Sequence, residues 1–396
     1  MTSLPDLYLR KGADRRLRGG HLWVFSNEVD TARSPLSDRS SGDPVAVRTT
    51  DGKLLGSAYM EPNALICARV YAPGQERLPD AELFETAVRR ALILRDQFFD
   101  HPFYRLVYGD SDLLPGVVVD RYGDYLVMQL NNAGVERFES LLVQALVAVL
   151  EPAGLLLRAD SRARREQGLP DRVEVIHGEV PAVVQLQENG VIFEASVHGG
   201  QKTGWFYDHR LSRGRLQQCV TGRDVLDVYS YVGGWGIQAG VAGAASVCCV
   251  DSSEAALDGV MKNAALNGIE EKVTTVCGRA DAVMQTLASE GRQFDVVVLD
   301  PPAFIQRRKD LKKGIAAYRR INELGLRLLR PDGLLVAGSC SMHLPRAELV
   351  NALQGASRRA GCELRIVEQG GQGPDHPVHP AIPETDYLKT VFARRL

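Results

Sequence analysis

Two short strings in this chain carry residue types suited to chemistry on a nucleobase. The first, Asp295-Val-Val-Val-Leu-Asp300-Pro301-Pro302-Ala303-Phe304, closes an apolar run with an acid, two prolines and an aromatic. Consecutive prolines fix the backbone and remove two amide donors, so a rigid turn aims Asp300 and Phe304 out of the strand end. A flat aromatic beside such a turn suits a planar base that has left its stack; the plainer reading is a Pro-Pro turn that only ends a strand. The second, Ala337-Gly338-Ser339-Cys340-Ser341, sets a thiol between two hydroxyls at the end of another apolar run. A lone cysteine is usually a small buried hydrophobe, yet a thiolate is also the side chain that adds to an electron-poor carbon. Of the seven cysteines, Cys340 alone has this context.

Upstream, Asp227-Val-Tyr229-Ser230-Tyr-Val-Gly233-Gly234-Trp-Gly236 follows a further apolar run. Glycines let a backbone approach a ligand closely, and a following helix N-terminus favours an anionic group, although such turns also serve strand–helix packing. The order is not the G-x-G-x-x-G of a pyrophosphate-binding loop. Asp251 ends the next run, about twenty residues on, where a carboxylate can accept bonds from ribose hydroxyls; a helix cap beside Ser252 and Ser253 is the alternative. Together these features favour an adenosine-bearing cofactor, and the missing pyrophosphate signature points to S-adenosylmethionine rather than NAD.

The elements that must position these strings fall into three zones. Residues 1–73 hold short apolar runs at 22–25, 44–47, 53–59 and 64–71, with Asp51-Gly52 as a hairpin turn; this predicts a small all-β module. An amphipathic helix is expected over 80–99. Residues 74–180 mix strands at 104–108, 116–120 and 125–130 with a helix near 136–150, an α+β unit. From 181 to 396 strands at 225–229, 246–250, 273–277, 295–299 and 334–338 alternate with helices, one of them ending at Asn267-Gly268. That alternation predicts an α/β, doubly wound parallel sheet with ligands at the carboxyl ends of its strands.

Composition sets the outer limits. A chain of 396 residues exceeds the ~250–300 at which single cores stop growing, so several domains are expected. A net charge of −2 excludes gripping nucleic acid through overall charge but leaves local basic faces open. The cysteines form no disulfide or zinc framework, and His376 and His379 have no cysteine partner, so no metal is expected. No signal peptide or apolar span is evident; a cytoplasmic protein without membrane contact is expected.

The glycine turn, Val250-Asp251-Ser252, Asp300-Pro-Pro-Ala-Phe304 and Ser339-Cys340-Ser341 resemble class I S-adenosylmethionine-dependent RNA methyltransferases, most closely the RlmI-type cytosine-C5 enzymes of large-subunit (23S) rRNA. Gly200-Gln-Lys202-Thr203-Gly204-Trp-Phe206-Tyr-Asp208-His-Arg210, Asp375-His-Pro-Val and Pro383-Glu384-Thr-Asp-Tyr387-Leu-Lys389 support the likeness, and Trp23-Val-Phe25-Ser26 with Gly42-Asp43 resembles a PUA RNA-binding β-barrel. The resemblance implies a Rossmann-like methyltransferase sheet with Lys202, Thr203, Phe206, Asp227, Tyr229, Ser230, Gly233, Asp251, Ser252, Asp281, Asp300 and Pro301 around the cofactor. It makes Cys340 the nucleophile, with Asp300 beside it. Many cytosine-C5 enzymes carry a second cysteine directly after the Pro-Pro; Ala303 stands there, so the base that removes the C5 proton is unidentified. Asp300 acting through water and Glu384 are the candidates.

Thiolate addition at C6 would make C5 nucleophilic, and a helix N-terminus just after Ser341 is the expected source of a field favouring the thiolate. RNA, as 23S rRNA or an assembly intermediate, is the expected partner, with homodimerisation left open. Contact is expected through Lys11, Arg15, Arg16 and Arg18, through Arg307, Arg308, Lys309, Lys312 and Lys313, and through a weaker candidate set, Arg158, Arg162, Arg164 and Arg165. The alternatives are a base-nitrogen or other RNA methyltransferase that does not use Cys340, and a catalytically inactive RNA-binding or assembly factor.

Overall fold

The protein is described by a computed structural model covering residues 3–200 and 202–396, with Gln201 of the string before the sheet outside the described residues. The chain forms two compact units: Met1–Val184 with Ser196–Trp205 and Pro374–Thr385, and Gln185–Ala195 with Phe206–Gly373 and Asp386–Leu396.

In the first unit, Asp6–Tyr8, Pro44–Arg48, Leu54–Met60, Ile66–Pro73 and Trp23–Phe25 make a five-stranded sheet in that order. Its core includes Leu7, Leu9, Val24, Val45 and Val47, and Ile382 from far along the chain. A second five-stranded sheet, Arg172–Gly178, Gly154–Ala159, Tyr125–Leu130, Val117–Tyr122 and Phe103–Tyr108, shares another core with the helices Ala81–Asp96 and Glu139–Leu150. The segment 374–385 is tied in by polar contacts. Buried Arg95 donates to Asp375 O at 2.9 Å, and the Arg105 amide donates to Asp375 Oδ2 at 3.2 Å.

The second unit is built on seven strands: β1 (Asp224–Val228), β2 (Ser246–Asp251), β3 (Val273–Cys277), β4 (Phe294–Leu299), β5 (Leu329–Ser339), β6 (Leu364–Gly370) and β7 (Lys389–Arg395). Their order is β3-β2-β1-β4-β5-β7-β6. After the helix Arg210–Gln217, which precedes the sheet, come α1 (Gly236–Val241), α2 (Glu254–Leu266), α3 (Ala280–Ser289), α4 (Leu311–Leu328) and α5 (Arg346–Ala360). Val, Leu and Cys fill most of the middle strands, as burial on both faces requires, with the buried Asp227 as the exception in β1. Gly268, at φ 65°, takes the left-handed conformation just beyond α2 that glycine alone adopts freely.

The sheet is Rossmann-like but not wholly parallel, which corrects the strict alternation expected from the sequence. β7 runs antiparallel to both β5 and β6. The expectation missed these strands because β6 is an exposed, charged stretch without a continuous apolar run. A hairpin of Val183–Glu188 and Val191–Ser196, turned at Asn189-Gly190, also went unread despite its turn signal.

Candidate active site

The turn after β1 is shaped by a buried acid. Asp227 is fully buried, and its Oδ2 accepts the Gly236 amide at 2.8 Å. Burial drives its carboxyl up to about 7, with the charges of Asp300 and Asp251 adding to the rise and the Gly236 amide opposing it. Asp227 thus holds the loop from beneath. Within that loop Tyr229 and Tyr231 adopt φ of 68° and 50°, strained values for residues with a Cβ, of a kind that gathers at functional sites. Gly233, at φ 87°, closes a turn to Ser230 O at 2.8 Å.

At the end of β2, Asp251 receives the Tyr231 amide on Oδ2 and the Ser253 amide on Oδ1, both at 3.0 Å. The helix cap is Ser253, not Asp251. Each Asp251 oxygen retains a lone pair for a further donor. Asp251 lines a cavity of about 340 Å³ together with Tyr229, Ser252, Asp281, Phe304 and Ile321, within the range of small-molecule sites. Aromatic and aliphatic walls facing two acids make an acceptor set suited to an adenosine: the rings flank a base and the carboxylates accept from hydroxyl and amino groups. S-adenosylmethionine therefore fits the residues present. Asp281, in the first turn of α3, is held as a carboxylate by its bond from Arg279.

The fourth-strand turn is built around an ion pair. Asp300 Oδ1 lies 3.0 Å from His209 Nε2, and Oδ2 accepts from Trp235 Nε1 at 3.0 Å. Burial works to raise the Asp300 carboxyl, but His209 and the Trp235 bond outweigh it and the net direction is down; burial likewise opposes the His209 charge, and Asp300 lifts it. Pro301 is buried behind Asp300, and Phe304 packs 4.9 Å from the Tyr318 ring.

Cys340 is half-buried, one residue past β5. Its two hydroxyl neighbours face inward. Ser339 donates to Tyr318 Oη at 2.8 Å, Tyr318 and Ser341 lie 2.9 Å apart, and Ser341 Oγ accepts the Ile305 amide at 3.2 Å. One buried tyrosine thus clamps the backbone on both sides of the thiol. The expected helix N-terminus is not there: a turn follows Ser341, and α5 starts only at Arg346. Pro345, which favours the first turn of a helix, sets that start. The charged neighbour is Lys389, the register partner of Ser339, whose Nζ donates to Ser341 O at 2.8 Å.

The other expected residues divide between the two units. Lys202 and Thr203 belong to the first unit, where Thr203 is buried and donates to Asp120 at 2.5 Å. Phe206 packs edge-on against Tyr231, 5.6 Å between centroids. Glu384 also belongs to the first unit, near enough to His21 to bear on its charge. Among the basic groups, Lys11 and Arg15 are exposed, whereas Arg16 pairs with Glu28 and Arg18 with Asp14. Arg158 and Arg164 are buried in pairs with Asp160 and Glu136, whereas Arg162 and Arg165 are exposed and pair with Glu166 and Asp171. Arg307, Arg308, Lys309, Lys312 and Lys313 are exposed around the start of α4. His209, Trp235, Tyr318 and Lys389 were not foreseen; the first two and the last sit inside strings that drew attention for other reasons, while Tyr318 had no local signal. No helix among the described residues is long and apolar enough to cross a membrane.

Two family models match the chain: an S-adenosylmethionine-dependent methyltransferase over residues 152–391 and a PUA-like domain over residues 7–73. They define an S-adenosylmethionine-dependent methyltransferase that carries a PUA-like domain. Ribosomal RNA large subunit methyltransferase I of Vibrio cholerae is 37% identical over 97% of this chain and 98% of its own length. The Shewanella denitrificans protein of that name is 34% identical, covering 98% of each chain. The chain belongs to this methyltransferase I family. A solved Streptococcus mutans protein, described as a SAM-dependent methyltransferase, shares the fold at a TM-score of 0.84 and 19% identity, covering 99% of this chain and 100% of its own.

Proposed function

We propose that the protein methylates C5 of a cytosine in large-subunit (23S) rRNA through a bond from Cys340 Sγ to C6. The observation that carries this reading is the position of Cys340. It is half-exposed at the carboxyl end of β5, on the strand beside the one that ends in Asp300, with Ala337 and Leu299 in register. The rRNA substrate is taken from the names of the relatives, and the PUA-like domain, matched over residues 7–73, together with the exposed cations around the start of α4, supports an RNA partner.

S-adenosylmethionine, when bound, supplies an electrophilic methyl group. Cys340 adds to C6, and the ring electrons displaced toward C5 make that carbon the nucleophile. Once C5 is methylated, its proton passes to water, the freed pair re-forms the C5–C6 double bond, and Sγ leaves as the thiolate, restoring the aromatic ring. In this reading the Asp300 carboxylate, which His209 and Trp235 fix, accepts from the cytosine amino group.

Transcribed 23S rRNA fragments containing 5-fluorocytidine test this reading. Fluorine at C5 blocks the final elimination, so wild-type protein is expected to form a covalent complex whose RNA-linked peptide contains Cys340, and C340S none. Methyl transfer that survives C340S would overturn it in favour of base-nitrogen methylation.

A further inference from the structure

Lys389 is 5% exposed, an unusual place for an ammonium group, and the methyl-transfer reading gives it no task. β7 places it opposite Ser339, the residue before Cys340, and its Nζ donates to the carbonyl of Ser341, the residue after. A second bond runs to Tyr387 O at 2.7 Å. An ammonium has three N–H donors, so one remains beyond these two carbonyls. The ammonium is therefore fastened to the backbone that presents the thiol, and the two groups interact electrostatically.

We infer that Lys389 is a positioning residue for Cys340: its ammonium, anchored on Ser341 O, favours the thiolate and holds it toward the substrate. This rests on the reading of Cys340 as nucleophile and supplies the field once expected from a helix N-terminus. In the step it assists, the Cys340 proton leaves Sγ for solvent, the freed pair bonds C6, and Lys389 keeps its three protons.

The charges around the pair agree with that role. Burial pushes the Lys389 ammonium down to about 8, Asp386 and Cys340 raise it, and Arg346 lowers it. Tyr318 also faces the thiol; burial raises its phenol, so it stays neutral at working pH and leaves the ammonium as the charge bonded at the thiol's own backbone.

Two labelling experiments on the full-length protein test the pairing. In the first, iodoacetamide alkylation of the Cys340 peptide is followed by mass spectrometry from pH 6 to 10. K389M is expected to alkylate about tenfold more slowly at pH 7, a one-unit shift in thiolate formation, while K389R stays near wild type. The second needs no change at Lys389: acetic anhydride labelling of Lys389 is compared in wild type and C340S. Removing the thiolate is expected to move the labelling midpoint of Lys389 to lower pH. Alkylation unchanged in a folded K389M, or a Lys389 midpoint unchanged in C340S, overturns the inference. Neither readout involves methyl transfer, so the pairing can fail while the nucleophile reading stands, and the reverse.

Discussion

His209 Nε2 and Asp300 Oδ1 lie 3.0 Å apart, joining the segment before the sheet to the acid just after β4. The pair makes stability depend on pH in a definite window. Asp300 is depressed from 3.8, so its contribution is complete above 3.8 and lost as acid protonates it; His209 is raised from 6.5, so its share is complete below 6.5 and lost as pH climbs through its folded value. H209Q is expected to be less stable by about 3 kcal/mol near pH 5–6. The gap to wild type should narrow above neutrality, checked by urea unfolding across pH 4–9. A gap that widens with pH would contradict the pairing.

Asp227 titrates in the opposite sense to Asp300, although both are carboxyl groups. A carboxyl raised from 3.8 to about 7 binds a proton in the folded protein that the unfolded chain has already released, so stability falls as pH rises through that interval. D227N keeps an acceptor for the Gly236 amide and removes the titration. Relative to wild type it is expected to gain stability from pH 4 to 7 and then level off, as read by denaturant midpoints.

Tyr318 clamps Ser339 and Ser341, and its loss is expected to loosen the thiol more than the fold. Y318F leaves two buried hydroxyls short of a partner, at a cost of about 1–3 kcal/mol. A fall in kcat with little change in KM for S-adenosylmethionine is the expected kinetic outcome.

Gly338 shows how closely β5 approaches the acid of β4. A Cβ there would stand 2.9 Å from Asp300 Oδ1 and 3.3 Å from Leu299 O. G338A must push Asp300 or the strand aside, a strain of about 1–3 kcal/mol, and single-turnover methyl transfer should slow at least tenfold.

The basic residues divide by their pairing. Replacing Arg308 and Lys309 with alanine is expected to weaken RNA binding and lower the slope of log affinity against log salt by about 1–2. R164A, which removes the partner of Glu136 and a donor to Leu130 O, should instead lower the melting temperature. Filter binding at several salt concentrations and thermal melts separate the two effects.

Much of this protein was open to reading from order alone. The βα alternation, the glycine turn, the strand-end places of Asp251 and Cys340 and the acid–proline turn all follow from local patterns, because apolar period, proline and glycine act within a few residues. What surrounds the thiol was decided elsewhere. Lys389 reaches Ser341 because β7 pairs antiparallel with β5 across 48 residues of chain, His209 meets Asp300 from outside the sheet, and Tyr318 comes down from α4. The expected helix field failed for the same reason that Lys389 was overlooked: which charge faces a side chain depends on register and burial. Those are settled only when distant segments pack and desolvate one another.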